Sequence, residues 1–296
     1  MRVKHLIPAV LAFWGVAAQA TVLRVSNVGA SAPYSTINAA VNAATEGDTI
    51  IVDGTSIDYD AAELNKRIVL IGPGYWLREN GIATETSQAA TINSIKVSAE
   101  GCVITGVFVA TDIVVGGSKT VISRCHINGN VSIEDNVNYC VVRQNYLNGE
   151  VTSGYGQSFY HQITNNIFGN VGCKGLHESY IAYNTSINYW GESFWNSYNC
   201  RVEKNIMFGS EFSQNTDNTY GDNYIVGETY KDIQTDKDVR DFPLPEAAAG
   251  YGAFAGDSPY VVSGIPAGPV IEELIIPTSV EEGSTMEVTL KLGANK

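Results

Sequence analysis

The chain has 296 residues, of which 44% are hydrophobic and 17% are charged, so it is long and apolar enough to bury a large core. Its 31 acidic and 18 basic residues give a formal net charge of −13. Nucleic acid and anionic membranes need a basic partner, so this balance argues against both.

The first 20 residues are predicted to be a cleaved secretory signal. A basic start at Arg2 and Lys4 precedes an apolar run from Leu6 to Ala18, and Ala18-Gln19-Ala20 forms a cleavage site of small residues. The run is shorter than the roughly 20 apolar residues that span a membrane. We therefore predict no membrane insertion and a mature chain that starts at Thr21. Its charge would be 16 − 31 = −15, and it would be secreted, as an extracellular, periplasmic or cell-surface protein.

The mature chain is predicted to open with a strand at Thr21–Val25, a helix from about Thr36 to Ala44 and a second strand at Asp48–Val52. Ser35 is the expected N-cap of the helix. The apolar residues of the helix fall at i, i+3, i+4 and i+7 and so share one face. A solenoid exposes strand edges and core side chains at its end, so we expect this helix to cover that end.

A short pattern then recurs from Gly101 to Gly209. Its aliphatic residues are spaced by 18, 20, 21, 18 and 21 positions: Ile104, Ile122, Val142, Ile163, Ile181 and Val202. A period near 20 in strand-type residues predicts an all-β solenoid of stacked coils. Three positions later the last four repeats carry Asn145, Asn166, Asn184 and Asn205. We expect their amides to bond to the backbone and to the amide one coil away.

The alternation of side chains along strands predicts which residues face outward. In the aliphatic strand these are Arg143, Tyr180, Arg201 and Glu203. A second strand per coil is predicted around Ile113, Val131, Val151, Val171, Gly191 and Ser210. In that strand Glu192 and Glu211 would share one outward column, and Lys174 and Phe194 the next. The upper coils would thus gather Lys174, Glu192 and Glu211 on one surface.

The five cysteines are predicted to be free, buried thiols. Cys102, Cys140 and Cys200 fall in one inward column but never on adjacent coils, which are stacked about 4.8 Å apart. The first two would thus be about 10 Å apart, beyond disulfide reach. His161 falls in the same column and is predicted to be a satisfied core histidine. No pair of His or Cys has the short spacing of a zinc site.

The composition changes after Phe212. The stretch to Gly256 is polar and irregular, and residues 257–269 read as a closing segment. Met286 to Leu292 alternate apolar and polar residues and are predicted to turn back against Leu274–Val280 as a hairpin. A lone hairpin is unstable, so it would dock on the solenoid or on a partner, or be part of an immunoglobulin-like module, and we favour docking. The predicted units are therefore a signal peptide at 1–20, a solenoid at 21–265 and a hairpin or tail at 266–296.

Two segments carry a resemblance to a known superfamily. Tyr34 to Ala44 followed by Gly47-Asp48-Thr49-Ile50-Ile51-Val52, and then Arg67 to Gly74, resemble the N-terminal part of pectate-lyase-like right-handed parallel β-helices. The regularly spaced asparagines resemble the internal asparagine ladder of that superfamily. The resemblance covers about two thirds of the chain and implies a right-handed parallel β-helix. It leaves the activity open, because members include lyases, hydrolases, esterases, adhesins and inert shafts.

The candidate site lies where aromatic residues crowd the upper coils. Tyr189, Trp190, Phe194 and Trp195 are the predicted substrate-binding residues, since flat rings suit the apolar faces of sugars. The resemblance implies, for a lyase, a base beside a uronate carboxylate and a cation that neutralises it. Lys174 or His177 could be that base, and Glu192 and Glu211 could hold calcium.

Two functions follow as hypotheses. The first is recognition or cleavage of an acidic or neutral polysaccharide, with a lyase favoured over a glycoside hydrolase because no cluster of aspartates is present. The second is a non-catalytic carbohydrate-binding or surface-adhesion module that uses the same face. No phosphate-binding loop, nucleophile-elbow or dinucleotide motif occurs in the sequence.

Overall fold

The computed structural model describes residues 20–29, 32–79, 88–154, 157–169, 172–187, 194–208, 216–226, 246–275 and 288–295. Within these ranges the strands form three parallel sheets, which we name A, B and C, and one antiparallel pair. From Val69 to Glu203 the chain passes from sheet A to B to C in each coil and then returns to A. This is the parallel β-helix that the repeat predicts.

The strands are short, because each coil bends three times. Sheet A contains Val22–Val25, Thr49–Val52, Val69–Ile71, Val103–Thr105, Val121–Ser123, Val141–Arg143, Gln162–Thr164, Tyr180–Ala182, Arg201–Glu203 and Thr219–Tyr220. Sheet B contains Thr91–Ile92, Phe108–Val109, His126–Ile127, Tyr146–Leu147, Ile167–Phe168, Thr185–Ser186, Ile206–Phe208 and Tyr224–Val226. Sheet C contains Ala62–Leu64, Ile95–Val97, Ile113–Val115, Val131–Ile133, Val151–Ser153, Cys173–Lys174 and Phe194–Trp195.

The register of sheet A confirms the aliphatic repeat. Ile122 is paired with Ile104 on one side and with Val142 on the other. The series continues upward through Ile163, Ile181 and Val202. All six side chains are buried in one core that runs the length of the coils.

The N-terminal helix spans Ile37–Ala43, close to the predicted bounds. Its N-cap is Thr36, not Ser35 as predicted, because the hydroxyl of Thr36 accepts a hydrogen bond of 3.2 Å from the backbone N–H of Ala39. At the other end the ammonium group of Lys66 donates to three carbonyl oxygens of residues 41, 42 and 44, at 2.8–3.0 Å. These bonds satisfy carbonyls that the end of a helix leaves unpaired. The helix contributes its buried face to the main core.

The asparagine ladder is confirmed. The amide of Asn166 donates to the carbonyl of Val142 at 2.8 Å and to the side-chain oxygen of Asn184 at 3.0 Å. Its own oxygen accepts from the backbone and the side chain of Asn145, both at 3.0 Å. Asn205 continues the ladder upward, and Asn223 is a further rung that the sequence pattern missed.

The cysteines are free and buried, as predicted, throughout the described part of the chain. Burial raises the pKa of Cys140 and Cys200 to about 11, so both thiols stay protonated at neutral pH. His161 is buried as predicted, and its Nδ1 accepts from the backbone N–H of Cys140 at 3.2 Å. Its Nε2 has no hydrogen-bond partner among the described residues, so it is only half satisfied.

Residues 246–265, which we name the strap, run down the outside of the corner between sheets A and B. The sequence predicts that these residues are irregular and lie at the end of the solenoid, where the coils stop. The strap instead runs back across several coils. Corner residues with positive φ donate to its carbonyls: Arg124 to Ile265 (2.9 Å), Gln144 to Pro259 (2.7 Å) and Asn165 to Ala255 (2.8 Å). At its upper end the N–H of Gly252 donates to the carbonyl of Lys204.

The strap covers an apolar strip on the outer face of sheet B. Tyr146 and Ile167 of that face form a second, smaller core with Ala253 and Tyr260 of the strap and with Tyr75. The hydroxyl groups of Tyr75 and Tyr260 share a short hydrogen bond. Sheet B is therefore buried on both faces over these coils, and the outer faces of A and C are the ones left for solvent.

Replacing Gly264 with alanine should loosen the strap. Gly264 has a φ of +55°, and a Cβ there would collide with the carbonyl oxygen of Arg124 and the ring of Tyr75. We expect a loss of at least about 2 kcal/mol in the free energy of unfolding and faster proteolysis within residues 246–265. Gly268→Ala is the control, because among the described residues, apart from its chain neighbours, no atom lies within 4 Å of its added Cβ. Equal protease resistance of the two variants would contradict the account.

The C-terminal strands Gly268–Ile275 and Thr289–Asn295 form an antiparallel hairpin with a register shift between Ile271 and Glu273. The predicted hairpin overlaps these strands at residues 274–275 and 289–292, and the rest of it lies outside the described residues. Its docking on the coils stays a prediction. No helix in the described part of the chain is long and apolar enough to cross a membrane.

Candidate functional site

The corner between sheets C and A carries a column of aromatic side chains on the upper coils. Phe159, His177 and Tyr198 are joined by parallel bridges, one per coil. The residue before each of them, at positions 158, 176 and 197, is fully buried. Because side chains alternate along an extended chain, the rings of the bridged residues point away from the core.

The next residue on each coil adopts a left-handed conformation and turns the chain into sheet A. Tyr139 and Tyr160 occupy this position on neighbouring coils, with φ of 61° and 64°. Their rings are stacked with centroids 5.2 Å apart and planes 19° apart. The side chains are nevertheless 55% and 46% exposed, so two large parallel rings face solvent.

Sheet C adds a cation and an indole beside this column. Lys174 pairs with Thr152 below and with Trp195 above. The ammonium nitrogen of Lys174 lies 4.1 Å from the centroid of the Trp195 ring, a cation–π contact. Both side chains are half-buried, so the contact holds them in place while leaving part of each accessible.

The ring of His177 is held between two aromatic neighbours. It stacks on Tyr198 with centroids 4.9 Å apart and meets Phe159 edge-on at 5.9 Å. Burial lowers the pKa of His177 below its ordinary value, and the carboxylate of Glu178 opposes that shift. The imidazole is therefore mostly neutral at pH 7, and can both donate and accept a hydrogen bond.

We name this set the aromatic surface. It comprises Tyr139, Phe159, Tyr160, Lys174, His177, Trp195 and Tyr198. Of the predicted site residues, the structure brings Lys174, His177 and Trp195 together here. Lys174 and His177 lie three residues apart on one coil, and Trp195 and Tyr198 lie directly above them.

The predicted orientation of Phe194 is wrong. Its ring is 2% exposed and packs in the main core, so it is not accessible to a substrate. The predicted register of sheet C fails in the same coils, because Cys173, not Val171, pairs with Val151. The connection from sheet B to sheet C lengthens from four steps (Leu147 to Val151) to five (Phe168 to Cys173) and then eight (Ser186 to Phe194). A repeat of constant length cannot predict the strand register across insertions of different lengths.

The remaining predicted residues lie outside the described part of the chain. They are Tyr189, Trp190, Glu192 and Glu211. Among the residues that are described, no three His, Cys, Asp or Glu side chains are grouped to hold a metal ion. The calcium site at Glu192 and Glu211 therefore stays a prediction.

The sequence pattern missed the exposed Tyr139–Tyr160 pair. In the sequence Tyr160 is one of many aromatic residues in the upper coils, and Tyr139 comes before that aromatic-rich stretch. Their position in the repeat could have indicated the pair. Each tyrosine stands two places before the first residue of a sheet A strand, at 141 and 162, and that first residue faces outward.

Sheet A carries a second polar group, which is internally paired. The hydroxyl of Tyr180 donates to Glu203 at 2.9 Å, and Arg201 forms an ion pair with the same carboxylate at 2.9 Å. Burial, followed by the bond to Glu203, raises the pKa of Tyr180 to about 12. These residues face outward as predicted, and they are paired with one another.

No protein-family model matches the chain, and a search of curated proteins gave no significant match. Among solved structures, the chain is similar to the crystal structure of a pectin methylesterase from Aspergillus niger. The two share 11% sequence identity and a TM-score of 0.34, over 72% of this chain and 88% of that one. A likeness of this degree carries no information about activity, and the fold described above rests on the strand pairing.

Proposed function

We propose that this protein binds a polysaccharide along its aromatic surface. The observation that carries the proposal is the solvent-exposed, stacked pair of Tyr139 and Tyr160. A stacked pair of exposed rings offers a contiguous apolar face that a partner can cover, and aromatic faces suit the C–H faces of sugar rings. The hydroxyl of Tyr139 can donate to sugar hydroxyls, whereas that of Tyr160 is hydrogen-bonded to the carboxylate of Glu178 and can accept from them.

The shape of the surface favours a chain over a single sugar. Its residues lie on successive coils, about 4.8 Å apart, from Tyr139 to Tyr198. Charged groups of both signs and an imidazole lie beside the rings: the Lys174 ammonium, the Glu178 carboxylate and the His177 ring. Both neutral and uronate polymers therefore belong in the test, and the predicted export would bring the protein to such substrates.

Trp195→Ala and Tyr160→Ala should weaken polysaccharide binding. The measurement is affinity electrophoresis on a panel of neutral and uronate polymers. Loss of one stacking ring should reduce affinity by at least about tenfold. Tyr220→Ala is the matched control, because Tyr220 is also exposed but lies on sheet A, away from the surface. Unchanged retention of both surface variants on every polymer that retains the wild type would refute the proposal.

Lyase activity is the second candidate, and one observation favours it. A neutral imidazole at His177 lies on the same coil as the Lys174 ammonium, which is the pairing of base and cation that proton abstraction beside a carboxylate needs. The assay is formation of unsaturated product from uronate polymers with and without calcium. Product that depends on both His177 and Lys174 supports a lyase. Binding with no product from any polymer leaves the non-catalytic module.

A further inference from the structure

A cleft lies on the lower coils, on the sheet A and B side of the molecule and away from the aromatic surface. It consists of two adjoining cavities of about 390 Å³ and 410 Å³ that meet at Leu77 and Gln88. We name it the lower cleft. Each cavity is within the roughly 300–1,000 Å³ range of small-molecule sites.

One wall of the lower cleft is aromatic and rigid. Trp76 and Phe108 line it, and the ring of His126 lies behind them with centroids 4.6 Å and 4.5 Å away. His126 is only 5% exposed, so its ring acts as packing for the wall. The two rings are therefore held at fixed angles before any ligand arrives.

The strap fixes the conformation of this wall. Trp76 has a φ of 49°, which is rare for a bulky residue and needs support from its surroundings. The carbonyl of Ser263 accepts from the N–H of Tyr75 at 2.8 Å, and the hydroxyl of Ser263 donates to the carbonyl of Trp76 at 3.3 Å. The strap thus keeps an unusual backbone in place at the edge of the cleft.

The polar side of the cleft is neutral overall. Ser56, Gln88 and Thr91 supply hydroxyl and amide groups. The charged lining residues are paired with each other: Arg24 with Asp53 at 2.9 Å, and Arg78 with Glu79 at 3.5 Å. A charged ligand would compete with these pairs, whereas an uncharged polar ligand would leave them intact.

We infer that the lower cleft binds one or two units of a neutral sugar. The apolar face of the sugar ring packs on Trp76 and Phe108, and its hydroxyls bond to Ser56, Gln88 and Thr91. The lower cleft shares no lining residue with the aromatic surface, so we expect the two sites to bind independently.

The test uses ligand-observed saturation-transfer NMR and calorimetry with glucose, galactose, xylose, N-acetylglucosamine, cellobiose and lactose, and with galacturonic acid as the charged comparison. At least one neutral sugar should bind better than galacturonic acid. Ser56→Trp fills the cleft from an exposed position and should weaken that binding by at least about tenfold. Gln88→Ala should weaken it without adding bulk. Ser98→Trp, an exposed serine outside the cleft, is the control.

Two results would overturn the inference. One is the absence of binding by every neutral sugar up to about 10 mM. The other is binding that Ser56→Trp and Gln88→Ala leave unchanged. Trp195→Ala and Tyr160→Ala separate this site from the proposed function, because sugar binding in the lower cleft should survive both substitutions.

Discussion

Asn166→Ala should lower the free energy of unfolding by about 3–5 kcal/mol. The Asn166 amide makes hydrogen bonds of 2.8–3.0 Å to Val142, Asn145 and Asn184 in a fully buried position. Alanine would leave the backbone N–H of Asn145 buried without its partner, and it would remove the side-chain bonds to the carbonyl of Val142 and to Asn184. A buried donor without a partner costs about 1–3 kcal/mol, and each further lost hydrogen bond about 1 kcal/mol. Urea denaturation followed by circular dichroism measures the loss.

Asn148→Ala is the matched control for that substitution. Asn148 also donates to an asparagine one coil away, the side chain of Asn128 at 2.8 Å, but this bond is exposed. Water replaces the lost partner there, so we expect a change of less than about 0.5 kcal/mol. If the two variants unfold at the same urea concentration, the buried ladder is not what stabilises the coils.

The second large effect is a loss of stability in acid that His126 controls. Burial among four aromatic rings lowers the pKa of His126 from its ordinary value of 6.5 to about 3. The folded protein therefore holds the neutral imidazole, and protonation favours the unfolded chain. The contribution of the neutral imidazole to the free energy of unfolding is complete above about pH 6.5, and it is lost as the pH drops toward 3. The total is on the order of 5 kcal/mol, because the pKa shift is about 3.5 units at about 1.4 kcal/mol per unit.

His126→Leu should remove most of this dependence, because leucine has a similar volume and does not titrate. The measurement is the free energy of unfolding at several pH values between 7 and 3, from urea curves. Part of the dependence of the free energy of unfolding on pH should remain, since burial also lowers the pKa of His161 to about 4. Parallel curves for the wild type and His126→Leu would show that His126 is not the titrating group.

The fold could be predicted because its stabilising features repeat. Stacked coils place equivalent residues above each other, so the same chemistry recurs at Ile122 and Val142, or at Asn166 and Asn184, at a readable period. The strap could not be found in this way. Its stabilising bonds run from Gln144 and Arg124 to backbone carbonyls more than a hundred residues away. Every residue has a backbone carbonyl, so the residue types do not indicate which ones are the acceptors.

The site was predicted only in part, for a related reason. Lys174 was placed on the correct face and Trp195 was predicted to bind substrate, but insertions between sheets B and C shifted the register, so the predicted alternation turned Phe194 outward instead of Trp195. Phe194 consequently points inward, and Trp195 lies above Lys174. The exposure of Tyr139 and Tyr160 follows from a left-handed turn, which tyrosine rarely adopts and which no local sequence pattern indicates.

Hydroxyl-radical footprinting with and without a bound polysaccharide tests the proposed function most directly. It reports the solvent access of individual aromatic side chains, and Tyr220 serves as the internal reference for radical scavenging by the polymer. We expect a polymer that binds the protein to protect Tyr139, Tyr160 and Trp195 and to leave Tyr220 as reactive as before. Equal protection of all four residues, or protection of Tyr220 alone, would contradict binding at the aromatic surface.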